Sequence, residues 1–324
     1  METTLTDRAA AVRRAASPLP GSQPYDRVRR LRLPPAVDGL TLVEAMVRLR
    51  PFIAADAWRS SCRQHRVRVD GQLADADAVV RSGQRLEHVE PGATEPAVSA
   101  DVQFVYQDEA LLVVDKPAPL PIHPSGRFNR NTLTWILAAA FPDEQLRIAH
   151  RLDANTTGLI ALTRTRRAAS RLQPMFQRGQ VRKTYLACVA GRPAQEEFRC
   201  DMPIVKQHGP AGLRTCQTDG RPASTEFEVL CRLHDGTTLL CVRPLTGRTH
   251  QIRVHLWHLG MPIVGDPSYL PGGQLNESQT RPVDAPAMRL HAWKLSFRHP
   301  LARHWLLLSA PLPDWAAAAA DLPG

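Results

Sequence analysis

Residues 231–242 read CRLHDGTTLLCV, two alternating runs on either side of Asp235-Gly236. Period-two alternation marks a half-buried strand, and Asp-Gly suits a tight turn that folds one strand back on another, so this stretch predicts an antiparallel hairpin. Its flanks extend both arms, as TEFEVLCRL (225–233) and TTLLCVRPL (237–245). Further out, EALLVVD (109–115), GLIALTRT (158–165) and KTYLACVAG (183–191) read as strands, whereas RRAASRLQPMF (166–176) and THQIRVHLWHLG (249–260) carry helical spacing. Strands and helices interleaved around a hairpin predict an α+β domain on a mixed, mostly antiparallel sheet flanked by helices, rather than a doubly wound parallel sheet.

That domain is expected over 101–324. Before it, 93–100 is Pro-, Gly- and Ser-bearing and reads as a linker. Residues 37–92 hold a helical stretch, TLVEAMVRL, and then RVRVDGQ, in which Val67 and Val69 alternate with Arg66 and Arg68 before an Asp70-Gly71 turn; Gly83 precedes another strand. This helix-then-hairpin order resembles the small alpha-L RNA-binding domain, while a merely structural cap is the alternative reading. Residues 1–36, rich in Pro, Ser and Arg, read as a flexible basic leader, either an RNA-tethering arm or a solvated tail.

Composition narrows the class. A 324-residue chain with 43% hydrophobic and 22% charged residues can bury a core, which excludes a largely disordered protein. The formal charge of +10 favours a polyanion, and almost all of it is arginine, which adds planar bidentate contacts and base stacking. Six cysteines contain no C-x-x-C pair, so reduced, mostly buried thiols are expected. No run approaches a membrane-spanning helix and the N-terminus lacks an apolar signal core, so a cytoplasmic, membrane-free monomer is expected.

The chemistry concentrates in His150-Arg151-Leu152-Asp153-Ala154-Asn155-Thr156-Thr157-Gly158, which runs straight into the apolar strand LIAL. Taken alone, Asp153 is a carboxylate beside Thr156, Thr157 and backbone amides that could hold it ionised, or a residue that only caps a local turn. A second segment, 249–260, predicts a helix capped by Thr249 and stopped at Gly260, with Ile252, Leu256 and Leu259 on one buried face. Arg253 lies at the margin of that face. It either faces solvent or turns inward to a waiting carboxylate.

The first of these segments resembles the catalytic motif of the RluA-type pseudouridine synthases. Four further segments match in that family's order: Asp115-Lys116-Pro117 with LPIHPSG, Arg182-Lys183-Thr184-Tyr185-Leu186, the run from Arg243 to Leu256 continued through Gly260 and Pro262-Ile263-Val264-Gly265-Asp266, and Leu290-His291-Ala292. Pro119 and Met261 depart from the pattern, standing where glycine and histidine are usual. The resemblance covers about residues 101 to 312 and implies a cofactor-free, metal-free isomerisation of uridine in structured RNA, rRNA or tRNA. In it the base is flipped out, an aspartate attacks or promotes cleavage at the sugar, and the base rotates and rejoins through carbon 5. Carried over, Asp153 is the nucleophile, Tyr185 the stacking ring or base, and Arg253 the cation paired with Asp153. Arg151 fills the space left by the flipped base, Leu290 walls the pocket, and His150, Lys183, Thr157 and Arg248 are substrate-binding candidates. Two other classes compete: a non-catalytic RNA-binding or ribosome-assembly factor, and a metal-dependent hydrolase built on His250, His255 and His258, whose spacings put them partly on different helix faces.

Overall fold

The computed structural model describes residues 4–206 and 212–319. Residues 1–3 of the expected leader and 320–324 of the expected catalytic domain lie outside them. Along the chain the elements are α1 (Leu5–Ala15), β1 (Tyr25–Arg32), α2 (Leu42–Leu49), α3 (Ala55–Arg63), β2 (Val67–Val69), β3 (Gln72–Leu73) and β4 (Arg85–Ala93). Then follow β5 (Gln103–Gln107), β6 (Leu111–Lys116), α4 (Leu133–Ala140), β7 (Arg147–Ile148), β8 (Thr157–Thr163), α5 (Arg166–Gln177), β9 (Arg182–Ala190) and β10 (Glu197–Cys200). The last are β11 (Ile204–Lys206), β12 (Arg214–Cys216), β13 (Thr225–Arg232), β14 (Thr237–Pro244), α6 (Gln251–His258), β15 (Leu290–Arg298) and β16 (Trp305–Ser309). Two compact units result, residues 21–95 and a larger one from 1–20 plus 96–324.

In the larger unit a ten-stranded sheet runs β10-β13-β14-β9-β15-β8-β6-β5, with β16 added to β15 and β7 to β8. The hairpin at 231–242 forms as expected between β13 and β14, and every strand pair in this sheet is antiparallel except β8 with β15. The central strands are buried on both faces, which is why they read as continuous apolar runs. Leu112, Val114, Ile160 and Leu162 enter one core cluster; Leu111, Val113, Leu159 and Ala161 enter the opposite one. The parallel contact depends on Gly158, whose φ is +106° and where a Cβ would lie 2.3 Å from the Ala292 carbonyl oxygen. Only glycine lets β8 approach β15 there. That approach sets the loop before β8 beside the start of β15.

The expected flexible leader is corrected. Thr4 and Asp7 form a capping box, and α1 buries Ala9 and Val12 in the same cluster as Leu112 and Ile160. Arg8, also buried, ion-pairs with Glu144 at 2.6 Å. The other part of that stretch, β1, belongs to the smaller unit, whose sheet order is β1-β4-β2-β3. Arg30 stands opposite Glu87 on β4 and pairs with it at 2.7 Å. Cross-strand charge pairing therefore absorbs much of the basic charge that made 1–36 look like a solvated arm. The stretch 93–100 straddles the boundary between the units: Ala93 ends β4, and Val98 is buried in the larger unit's core.

Helix α6 needs two corrections. His250, not Thr249, is its N-cap, with left-handed φ of 57°, and Leu259 is exposed. Burial is not confined to one face, since all of Gln251–Leu256 is buried. Ile252 and Leu256 pack on the sheet with Leu240, Val242 and Leu290, while Val254 packs with Ile204, Leu213 and Tyr269. The helix stops before Gly260, which takes φ of 76°, as the sequence predicts.

Candidate active site

Asp153 sits in the loop between β7 and β8, where the Thr156 N–H donates to its carbonyl at 3.1 Å. Helix α6 brings Arg253 to it: Nη1 donates to Asp153 Oδ2 at 3.1 Å. The rest of the guanidinium fork grips Asp266, with Nε donating to Oδ2 at 2.7 Å and Nη2 to Oδ1 at 2.8 Å. Asp266 also accepts the backbone N–H groups of Ser268 and Tyr269, at 2.9 and 3.1 Å. One arginine thus serves two carboxylates, and the side chains are 2% (Arg253), 0% (Asp266) and 25% (Asp153) exposed. The half-open member is Asp153. The Tyr269 ring covers the guanidinium at 5.0 Å, and its hydroxyl lies 2.9 Å from His250 Nδ1. On the other side of the loop, buried Lys116 donates to the carbonyls of Pro117 and Ala154 at 2.9 and 3.2 Å.

Burial, the largest influence on Asp153, pushes its pKa up, but His250, Arg253 and Lys116 together outweigh it and hold the carboxyl below the usual range. Of these cations Arg253 is the permanent one. Burial pushes His250 down to about 4, so it is neutral at pH 7 despite lying 4.0 Å from Asp153. Burial pushes Lys116 down to about 7 against the pull of Asp153 and Asp115. Asp266 and Asp153 keep Arg253 above the ordinary arginine range although burial opposes its charge. Tyr185 moves upward through burial and the nearby Asp153 charge, so it stays a neutral phenol. A phenol can donate a hydrogen bond or stack; it is a poor proton acceptor.

These groups open onto a cavity of about 530 Å³, within the range of small-ligand sites. Asp153, Tyr185, Arg253, His150, Arg151, Lys183, Arg248 and Leu290 all line it. His150 is fixed as a neutral acceptor: its Nε2 takes the Ala161 N–H at 3.1 Å, its ring stacks on Phe176 at 4.2 Å, and burial, with the Lys183 charge, pushes it to about 3. Lys183 donates to the Thr246 carbonyl at 3.0 Å and is pushed by burial to about 8. Arg248 donates to the Pro222 carbonyl at 2.9 Å, and Arg151 is exposed.

Thr157 stands apart. Its hydroxyl lies 2.8 Å from His291 Nδ1 and 3.4 Å from the Leu290 carbonyl oxygen, and Thr156 lines the cavity instead. Neither threonine donates to the Asp153 carboxylate: the Thr156 hydroxyl is buried with no hydrogen-bond partner among the described residues. Arginine, not hydroxyl groups, keeps Asp153 charged. Sequence reasoning also missed Asp266 and Lys116 as site members, although both lie in matched blocks. Their signal was an ionisable residue at the end of an apolar run, IVGD and LLVVDK. The three histidines weighed as metal ligands diverge: His250 faces Asp153 and Tyr269, His255 meets Thr225 Oγ1 and the Met202 carbonyl at 2.9 and 3.0 Å, and His258 is exposed.

Fold and site together present one ionised, half-buried carboxylate in a cavity lined by arginine and lysine side chains. Residues 110–258 match the RNA pseudouridylate synthase family. An uncharacterized RNA pseudouridine synthase of Synechocystis sp. is 34% identical over 260 residues, 79% of this chain and 89% of that protein. Ribosomal large subunit pseudouridine synthase D of Nitrosomonas europaea is 33% identical over 307 residues, 92% and 88% of the two chains. The solved structure of human RNA pseudouridylate synthase domain containing 1 aligns with a TM-score of 0.54 at 29% identity, over 69% of this chain and 86% of that one. The chain belongs to the RluA-type RNA pseudouridine synthases, which are isomerases.

Proposed function

We propose that the protein isomerises chosen uridines in structured RNA, rRNA or tRNA, with Asp153 as the nucleophile and the uridine flipped into the 530 Å³ cavity. The observation that carries this reading is the Asp153–Arg253–Asp266 arrangement, a carboxylate kept ionised by a buried, shared cation. Asp153 attacks or promotes cleavage at the sugar, the N1–C1′ bond breaks and the uracil turns; carbon 5 then joins C1′, any bond from Asp153 to the sugar breaks in the same step, carbon 5 gives up its proton and N1 takes one up. Tyr185 and Leu290 form apolar walls for the uracil, and the raised Tyr185 pKa favours stacking over proton abstraction. Arg151, exposed at the cavity, takes the place of the extruded base, while Lys183, Arg248 and His150 hold the nucleotide. Thr157 acts indirectly, by fixing His291 and the start of β15.

No cofactor or metal enters this scheme, and the working form is a cytoplasmic monomer. The stretch 37–92, alpha-L-like in its helix-then-hairpin order, supplies RNA affinity together with the rest of the 21–95 unit. The large-subunit relative matches 92% of this chain, whereas the dual-specificity synthase RluA of Vibrio parahaemolyticus, at 37% identity, matches 65%. The name of the large-subunit relative makes rRNA the first substrate to test. Tritium release from RNA labelled at carbon 5 of uridine tests the reading. Release with rRNA or tRNA transcripts is the expected result, and tight binding without release would leave a non-catalytic RNA-binding or assembly factor.

A further inference from the structure

Asn155 lies two residues after Asp153 and is buried, yet it does not line the cavity. Its Nδ2 donates to the Gln279 carbonyl at 2.8 Å, and its Oδ1 accepts the Arg281 N–H at 3.0 Å. A primary amide offers a donor and an acceptor together, so it can bridge a backbone segment much as a neighbouring strand does. From that segment the Arg281 side chain turns the other way, and Nη1 donates to the carbonyl of Gly265, the residue before Asp266, at 3.1 Å. Arg281 Nε is buried with no hydrogen-bond partner among the described residues, a desolvation cost that a solvent-facing arginine avoids. Residues 279–281 therefore tie the loop bearing Asp153 to the loop bearing Asp266.

The tie matters because Arg253 is gripped unequally. Its bonds to Asp266 are 2.7 and 2.8 Å, whereas its bond to Asp153 is 3.1 Å. A small shift of the Asp153 loop would open the longer bond while the guanidinium stayed with Asp266. Lys116 restrains the same loop at the Ala154 carbonyl, one residue from the Asn155 anchor. We infer that Asn155 and Arg281 are positioning residues, which set the spacing of the two carboxylate loops so that one arginine serves both. The inference rests on the proposed role of Asp153.

Full-length Asn155→Ala, Arg281→Ala, Arg281→Lys and the double alanine variant test it. Three readouts are needed: turnover and KM on RNA, thermal melting, and the titration midpoint of the Asp153 carboxyl by carbon-13 NMR of the free protein. The groups facing that carboxyl are Arg253 and His250 from α6 and its cap, Lys116 from β6, Tyr185 from β9 and Tyr269 from the loop after α6, and each variant leaves all five in place. Each single alanine variant should lose about ten- to a hundredfold in kcat, with KM changed less than about twofold and the midpoint raised. Arg281→Lys should recover much of the loss by reaching Gly265. The double variant should be little worse than the poorer single one, because both residues hold one segment. A folded Asn155→Ala protein with unchanged kcat and midpoint overturns the inference, as does a loss of activity that only follows the melting temperature. Should Asn155→Ala not fold, Arg281→Ala decides, since it keeps the backbone N–H to Asn155. If the unaltered protein forms no pseudouridine, the functional reading fails, and the midpoint shift still decides the positioning.

Discussion

Replacing Arg253 by Met deletes three charge-assisted hydrogen bonds, at 3.1 Å to Asp153 and at 2.7 and 2.8 Å to Asp266. Methionine fills most of the volume with a flexible apolar chain, so the effect is mainly electrostatic. Asp266 retains two backbone donors, whereas Asp153 keeps only Lys116 and a neutral His250 nearby. Removing one partner of a buried pair costs about 3–5 kcal/mol, and the 25% exposure of Asp153 argues for the lower end at that carboxylate. Three kcal/mol expressed in the barrier is about two decades in turnover. The pH dependence follows from the direction of the shift. In the parent the Asp153 pKa is depressed, so its contribution to stability is present above the unfolded value and is lost as pH falls through the folded one. Without Arg253, burial dominates and lifts the midpoint, so the acid limb of the turnover profile moves to higher pH. The melting temperature should fall most at neutral pH, with the gap to the parent narrowing as pH falls below about 4 and Asp153 takes up its proton. Tritium release measured from about pH 5 to pH 9, with parallel melts, reads both effects. Arg253→Lys should recover only part, because an ammonium cannot grip Asp266 bidentately and also reach Asp153. Turnover within about tenfold of the parent and an unmoved acid limb in Arg253→Met would refute the reasoning.

Replacing 21–95 with a short Gly-Ser linker is feasible because the Glu95 N–H donates to the Gly21 carbonyl at 2.9 Å, so the ends of that unit meet. The product, with α1 retained, should bind RNA more weakly and with a flatter salt dependence, yet modify a saturating stem-loop; a folded product inactive on that stem-loop would show that 21–95 takes part in the chemistry. Chelator treatment should leave turnover unchanged once the RNA's own magnesium is restored, and recovery that requires zinc specifically would contradict the metal-free scheme.

How far the structure could be read from the chain depends on what each residue type signals locally. The 231–242 hairpin was readable because period-two alternation and an Asp-Gly turn both act within a few residues. Helix α1 was not, although Leu5, Ala9 and Val12 carry helical spacing; its interleaved arginines resemble a solvated tail until Glu144 is known to wait for Arg8. In α6 a one-sided apolar face was expected, but Gln251, Arg253 and His255 are all buried on polar partners that lie far away in sequence. The pairing of Arg253 with Asp153 was expected through family resemblance. That Asp266 holds the same guanidinium more closely was not, because a carboxylate in an irregular loop has no periodicity to betray where it points.

Asp153 is the proposed nucleophile, and the most direct measurement of that role is tritium release by Asp153→Asn beside its RNA affinity. Asparagine is nearly isosteric and can still accept the Arg253 hydrogen bond, so fold and groove should persist while the charge and the nucleophile are gone. Release should fall by more than about four decades, with the dissociation constant for RNA within about threefold of the parent. Release within about tenfold of the parent, with the variant folded, would contradict the assignment of Asp153 as the nucleophile.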